Sequence, residues 1–375
     1  MINNLKLMNF KCFDELDLEL SPLTLITGVN GMGKSSVIQS LLMLRQSFDE
    51  RYLQAENKVL LTGELINLLS GNAIRYAPAE TPEVKVAVTD ETGESFSCLV
   101  KSDSKLDLLS CTSRGLDNIT SFSLFSDSFL YLSAERLGPR PEYPKTQTIK
   151  HKGRLGLGSG ELTAAFLFSC LRNNTQMPIE ALRHPNEKSN LIYANVSAWL
   201  SEVAYDGAQI TASEKSTEKL ELIYSFNKGK LRGYDFSPMN VGFGFSYLLP
   251  VILGVLSATP GSLILIENPE AHLHPAAQSK IGKLIALAAE NGVQILIETH
   301  SDHLLNGIRV MVKGKSNWGK LQANKTQIHY FTSDMVEETE LKYKISFKIK
   351  DNGEIERWPK GFFDEWDNNL DDLLS

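Results

Sequence analysis

Gly28-Val29-Asn30-Gly31-Met32-Gly33-Lys34-Ser35-Ser36 constrains this chain more than any other stretch, because it fits G-x-x-x-x-G-K-[ST] between two kinds of apolar pattern. Ahead of it, Leu23 to Thr27 reads as a buried strand; behind it, Ser36 to Phe48 places Val37, Leu41 and Leu44 on one helical face. Strand, glycine loop and helix in that order let consecutive backbone N–H groups converge on phosphate oxygens at a helix N-terminus, where the helix dipole adds positive potential. Asn30, Gly31, Gly33, Lys34, Ser35 and Ser36 are therefore the expected phosphate-binding residues, with Lys34 reaching the β- and γ-phosphates and Ser35 holding magnesium. A glycine turn matching by chance would not bring the flanking elements with it.

A chain of 375 residues with ordinary composition can bury a large core, as one α/β domain with insertions or as two domains. Its net charge of −7 argues against general attraction to nucleic acid and leaves only a local basic face for that purpose. Cys12, Cys98, Cys111 and Cys170 lie far apart with no C-x-x-C pair, as expected of reduced thiols rather than disulfides or zinc ligands. No run approaches 18 consecutive apolar residues, and Met-Ile-Asn-Asn does not open like a signal peptide. The expectation is a cytoplasmic protein without membrane contact. No internal repeat and no low-complexity tract is visible.

A second constellation follows at Ser262 to Pro275. Its apolar strand ends in Glu267-Asn268-Pro269-Glu270-Ala271-His272-Leu273-His274-Pro275. A carboxylate at a strand tip can complete a magnesium shell together with Ser35, so Glu267 joins Ser35 as a candidate metal ligand. Asn240 to Ser246, small and glycine-rich, precedes an apolar helix over Tyr247 to Leu256. A helix over Ile281 to Ala289 leads to a buried strand, Val293 to Ile297, which runs into Glu298-Thr299-His300-Ser301-Asp302-His303.

In this order the motifs resemble the ABC-type ATPases of the group that holds RecF, the heads of structural-maintenance-of-chromosomes (SMC) proteins and the overcoming-lysogenization-defect (OLD) proteins. Asn9-Phe10-Lys11-Cys12-Phe13 and Leu16-Asp17-Leu18 resemble that group's opening strands, and Ser133 to Arg140 and Trp358 to Trp366 resemble segments of a bacterial subgroup with a C-terminal domain of unknown function. The resemblance implies an α/β P-loop NTPase fold of ABC-ATPase type: a mixed, largely parallel sheet, an antiparallel β-subdomain and a helical insertion. It implies ATP and Mg²⁺ as ligands. It further implies that Gly242, Gly244 and Ser246 form a signature-like loop for the γ-phosphate held by an opposite protomer, and that His300 is a switch histidine. The spacing of that loop is not Leu-Ser-Gly-Gly-Gln, and a glycine helix start with a Ser cap is the alternative. Lys11 and Phe13 lie near the adenine or α-phosphate on this reading, or are an ordinary solvated Lys and a core Phe.

One departure from the family pattern carries chemistry. The usual Asp-Glu pair is Glu267-Asn268 here, and an amide cannot accept a proton near neutral pH. Either Glu270 or another group is the general base, or hydrolysis is slow and ATP mainly holds a closed dimer. The catalytic candidates are Glu267, Asn268, Glu270 and His300. His272 and His274 alternate with Leu273 and suit a turn and dimer contact better than a metal.

The remaining expectations are coarser. Residues 1–160 are read as a first ATPase lobe, with short antiparallel strands from Val59 to about Tyr131, among them 84–88, 95–100 and 129–132. Gln54 is the nearest candidate for a glutamine loop. Arg136 or Arg140 approaches phosphate or a partner, or forms a surface salt bridge. The basic run from Arg140 to Arg154 is the candidate nucleic-acid contact, or a solvated loop. Gly153 to Gly160 reads as a flexible joint into a helical and β insertion at 161–239, with helices near Glu161–Arg172 and Ile192–Val203 and a hairpin of Leu220–Phe226 and Lys230–Phe236. Residues 240–310 complete the ATPase core, and 311–375 hold strands at Gln327–Phe331 and Leu341–Lys350 and an acidic, aromatic tail that plugs a groove or docks a partner. The functional expectation is head-to-tail association of two protomers around two ATP molecules, or a higher oligomer. That association would regulate a separate effector such as a nuclease in bacterial anti-phage defence or DNA repair. The rivals are a nucleotide-dependent scaffold with little turnover and a DNA-binding clamp.

Overall fold

The computed structural model describes residues 1–146, 155–336 and 339–374. The chain divides into two compact units, one of residues 1–126, 326–348 and 355–375, the other of residues 127–325 and 349–354. In the first unit, β1 (Ile2–Phe10) and β2 (Phe13–Glu19) form the expected hairpin, with Phe10 opposite Phe13. β3 (Leu23–Gly28) leads through the glycine loop to α1 (Lys34–Asp49). After the short α2 (Tyr52–Glu56), β4 (Lys58–Leu60) and α3 (Gly71–Ile74) come β5 (Glu83–Asp90), β6 (Ser95–Lys101) and β7 (Leu108–Arg114). Together with the opening hairpin they make an antiparallel sheet of order β2-β1-β5-β6-β7-β4. Val84, Val86 and Val88 alternate inward on β5, as Phe96, Cys98 and Val100 do on β6, so one face of the sheet is buried.

The second unit opens with β8 (Leu130–Leu132), expected in that antiparallel sheet but found elsewhere. All three of its residues are buried, and it runs parallel to β13. Burial on both faces is the property of an inner parallel strand, which an unbroken apolar triplet satisfies and an alternating edge does not. β9 (Tyr143–Pro144), α4 (Thr163–Arg172) and α5 (Ile192–Val203) precede β10 (Ala208–Glu214), β11 (Lys219–Phe226) and β12 (Asp235–Phe236). The expected hairpin of 220–226 with 230–236 forms, but only as a short antiparallel pair. β11 pairs along seven residues with β10 and touches β12 at only two positions. Gly229 and Gly233 both have positive φ, so that stretch turns instead of extending. β10 escaped notice because its buried side chains include Ala208 and Ala212, too small to mark an apolar face.

α6 (Phe243–Ser257) starts four residues earlier than expected and is buried almost all round from Leu248 to Leu256. β13 (Leu263–Glu267), α7 (Pro275–Glu290), β14 (Gln294–Glu298) and α8 (Asp302–Val312) follow, with β14, β13 and β8 parallel neighbours. The chain then returns to the first unit. There β15 (Thr326–Val336) lies parallel to β3 and pairs antiparallel with β16 (Thr339–Phe347). In the tail before α9 (Glu365–Leu374), Phe362 is fully buried against Tyr330 of β15 and Phe347 of β16. At this residue the tail plugs its own unit.

Candidate nucleotide-binding site

The phosphate-loop sequence folds as a cradle at the carboxyl end of β3. Gly28, Gly31 and Gly33 all have positive φ, which side-chain-bearing residues adopt only with strain. Two of them also permit close approach. A Cβ on Gly28 would collide with the Phe331 carbonyl of β15, and one on Gly33 with the Cys12 sulfur and the Phe13 ring. The tip of the first hairpin therefore lies directly beneath the loop. Phe13 is buried, and its ring centroid is 5.9 Å from that of Phe331. Of the two readings for Phe13, the core one holds, with the added role of supporting Gly33. Lys11, the other residue of that pair, donates to Gln39 of α1, and burial holds its ammonium below the usual lysine range. Lys34 is buried and its Nζ donates to the Gly28 and Val29 carbonyls, 2.9 and 2.8 Å away. Val29, Asn30, Gly31 and Ser35 are exposed, and Ser36 is half-buried. The result is a glycine loop at the N-terminus of a 16-residue helix with an ammonium folded into it, a concave site for an anion.

In the second unit, Glu267 ends β13 with its carboxylate half-buried. Oε1 accepts from the Tyr131 hydroxyl at 3.3 Å and Oε2 from the Ala134 N–H at 3.2 Å. Burial raises its pKa, against the pull of those two donors and of Arg136. Asn268 sits in the left-handed region at φ 46°, which asparagine tolerates better than most residues, and its N–H donates to the Glu298 carbonyl. Its Oδ1 is buried and has no hydrogen-bond partner among the described residues. Glu270 accepts the His300 N–H at 2.8 Å through Oε1, while its Oε2 is buried and has no such partner there. Burial also raises the Glu270 pKa, opposed first by that backbone N–H. His300 thus meets Glu270 through its main chain, and its side chain is exposed.

Arg136 is buried, so it is not the surface salt bridge that was one of its two readings. It is 3 % exposed, and its guanidinium binds the turn after β13: Nη1 donates to the Ser133 and Glu267 carbonyls at 2.8 and 2.7 Å, Nη2 to the Asn268 carbonyl at 2.6 Å. Burial lowers its pKa to about 10, with Glu270 the first of the groups opposing the fall, so it is a cation at neutral pH. Gly156 to Gly160 is a tied turn rather than a joint: Glu161 accepts from the Leu157 N–H and the Ser159 hydroxyl, both at 2.6 Å. The turn also lies against the Arg136 segment, where Ser133 N–H donates to the Gly158 carbonyl and Leu137 N–H to that of Ser159. Residues 147–154, the larger part of the basic run, lie outside the described residues. Arg140 is exposed, and Lys145 pairs with Glu214.

Gly242 is the N-cap of α6. Gly244 lies in its first turn, and the Ser246 hydroxyl is buried and has no partner among the described residues. Phe243, more than half exposed, Tyr247 and His272 form an aromatic cluster beside that turn. His274 caps α7 by accepting the Ala276 N–H, and Gln54 donates to the Phe48 carbonyl, a local bond. Ser35 in the first unit and Glu267 in the second each carry a hard oxygen of the kind magnesium takes, and the loop suits a phosphate anion. No group of three or more His, Cys, Asp or Glu side chains among the described residues could hold a metal by itself. No helix of the described residues is long and apolar enough to cross a membrane.

A family model described as "AAA domain, putative AbiEii toxin, Type IV TA system" matches residues 100–306, more than half of the 375. The chain belongs to this family. Residues 1–105 match the AAA ATPase domain, and residues 321–373 match a "Protein of unknown function (DUF3696)". The ATPase is similar to the OLD nuclease of Thermus scotoductus, 22 % identical over 353 residues, covering 80 % of this chain and 59 % of that protein. It is also similar to the DNA replication and repair protein RecF of Corynebacterium jeikeium, 34 % identical over 74 residues, covering 20 % and 17 % respectively. The chain therefore spans less than two thirds of either relative. Among solved structures, an SMC head bound to the C-terminal winged-helix domain of ScpA matches with a TM-score of 0.54 at 14 % identity, over 92 % of this chain and 97 % of that one. An SMC head with an extended coiled coil, bound to the C-terminal domain of ScpA derived from Pyrococcus furiosus, matches with a TM-score of 0.53 at 14 % identity over 100 % and 99 %. The fold is that of an ABC-type P-loop ATPase with mixed sheets, of the RecF, SMC and OLD-like group.

Proposed function

We propose that this ATPase binds ATP with magnesium through Asn30, Gly31, Gly33, Lys34, Ser35 and Ser36 together with Glu267. On this reading two copies associate around the nucleotide through Gly242, Gly244 and Ser246, and the association regulates a separate effector protein. The observation that carries the reading is the glycine loop of positive φ at a helix N-terminus with the Lys34 ammonium folded into it, an arrangement suited to an anion. Residues 240–310 would serve as the segment that completes the ATPase core. Magnesium, when bound, supplies charge neutralisation at the phosphates. Glu270 is the group proposed to take the proton of the attacking water. Its Oε1 is held by the His300 N–H, its buried Oε2 has no hydrogen-bond partner among the described residues, and burial raises its pKa. Asn268, with a buried carbonyl oxygen lacking a partner there, orients that water and accepts no proton.

Asn268 also favours a second reading, a nucleotide-dependent scaffold that hardly turns over ATP. Phosphate release and mass in solution, each with and without ATP and DNA, separate the two. Turnover that falls about 10²-fold or more in Glu270→Gln, with ATP binding retained, supports the first reading. ATP-dependent dimers with no measurable phosphate release support the scaffold. An OLD-type or RecF-type role in anti-phage defence or DNA repair, with a nuclease as effector, is proposed on the likeness to those relatives and on no contact seen in this structure. DNA binding through the Arg140–Arg154 run would appear as strong salt dependence.

A further inference from the structure

The guanidinium of Arg136 joins the turn after β13 to the start of α6. On one side its nitrogens close on the Glu267 and Asn268 carbonyls, which end β13 and begin the turn to Glu270. On the other it lies 5.3 Å from the centroid of the Tyr247 ring in α6, and that ring is 4.6 Å from the His272 ring. Phe243, in the first turn of α6, stands 5.7 Å from the same histidine. A planar fork with fixed donor directions holds two successive carbonyls at one geometry, which a lysine ammonium does not. The ring covers part of the charge, while Nε is buried and has no hydrogen-bond partner among the described residues. The guanidinium thus stands between the start of α6 and the backbone that carries the Glu267 side chain.

We infer that Arg136 is a positioning residue: through the Glu267 and Asn268 carbonyls it fixes where the Glu267 carboxylate points, and through Tyr247 it couples that direction to the N-terminal turn of α6. This rests on the proposed nucleotide reading, in which Glu267 serves the magnesium of ATP. The chain has already committed the carboxylate's two oxygens to weak outer partners, Tyr131 and Ala134, at 3.3 and 3.2 Å. Long bonds of that kind orient a ligand without competing strongly for it. The carbonyl clamp, at 2.7 and 2.6 Å, is the stiffer constraint.

The test is calorimetric titration of ATP into the full chain, in saturating Mg²⁺ and in EDTA, for the wild type, Arg136→Lys and Tyr247→Leu. Outer partners that orient a metal ligand are typically worth 10–100-fold in metal affinity. Arg136→Lys is expected to lower the gain in ATP affinity from Mg²⁺ by about tenfold while leaving affinity in EDTA unchanged. A residue with a merely structural role would lower the melting temperature, or both affinities together, without touching their ratio. An unchanged ratio in folded Arg136→Lys overturns the inference and leaves the nucleotide reading standing, because the wild type still binds. Should Arg136→Lys not fold, Tyr247→Leu decides. That variant keeps both carbonyl bonds, so a reduced magnesium gain supports the coupling and an unchanged one overturns it. A wild type that takes up no ATP refutes the nucleotide reading itself, and this inference with it.

Discussion

His329 of β15 offers a stability prediction that can be worked through from its surroundings. It is fully buried; Nε2 lies 2.8 Å from the Glu19 carbonyl and Nδ1 2.8 Å from the Ser346 hydroxyl. A carbonyl only accepts, so Nε2 carries the proton and Nδ1 accepts from Ser346, which satisfies the neutral ring completely. Burial, with Lys344 adding to it, lowers the pKa from 6.5 to about 4. The folded value lies below the unfolded one, so the stabilisation is complete above 6.5 and is lost as pH falls toward 4. At about 1.4 kcal/mol per unit, the loss across that window is on the order of 3 kcal/mol. His329→Gln keeps a donor toward Glu19 but cannot titrate. Urea unfolding of both proteins across the window should show the wild type losing about 3 kcal/mol more than the variant. Parallel acid limbs, or a ring resonance in NMR that titrates near the ordinary histidine value, would refute the reasoning.

Two further substitutions probe the elements that hold the site and the tail. Gly33→Ala forces an alanine to φ 98° and drives its Cβ into Cys12 and Phe13, so ATP affinity in titration should fall by about 5- to 150-fold, the equivalent of the 1–3 kcal/mol that such strain costs. Phe362→Ala removes a fully buried ring packed between Tyr330, Phe347 and Trp358 and should lower unfolding free energy by about 3–5 kcal/mol. Limited proteolysis should then cut first beyond Trp358; a tail as resistant as before would show that the plug does not anchor it.

Both strong motifs were legible because each is local. The glycine loop and the acidic strand end are written in consecutive residues, and their flanking apolar runs are long enough to specify strand and helix. Arg136 was not legible in its role, because the carbonyls it binds lie 131 and 132 residues further along and a backbone acceptor leaves no trace in residue type. The glycine turn at 156–160 was misread for a related reason. Glycines suggest freedom, whereas here Glu161 accepts from the Leu157 N–H and the Ser159 hydroxyl, and the Ser133 and Leu137 N–H groups donate to the Gly158 and Ser159 carbonyls. Strands went astray where apolar content was uninformative: three continuous residues in β8 and small alternating ones in β10. Phe13 shows the reverse case. Its burial was one of two open readings, and only the fold reveals that Gly33 must be glycine because that ring lies beneath it.

The central claim is that Lys34, Ser35 and Glu267 serve one magnesium-bound triphosphate. Calorimetric titration of ATP into the intact wild type, Lys34→Ala and Glu267→Gln, with Mg²⁺ and with EDTA, tests it most directly. Saturable binding by the wild type, abolished in Lys34→Ala and stripped of its magnesium gain in Glu267→Gln, is the expected result. No uptake of ATP by the wild type, or the same magnesium gain in Glu267→Gln as in the wild type, would contradict it.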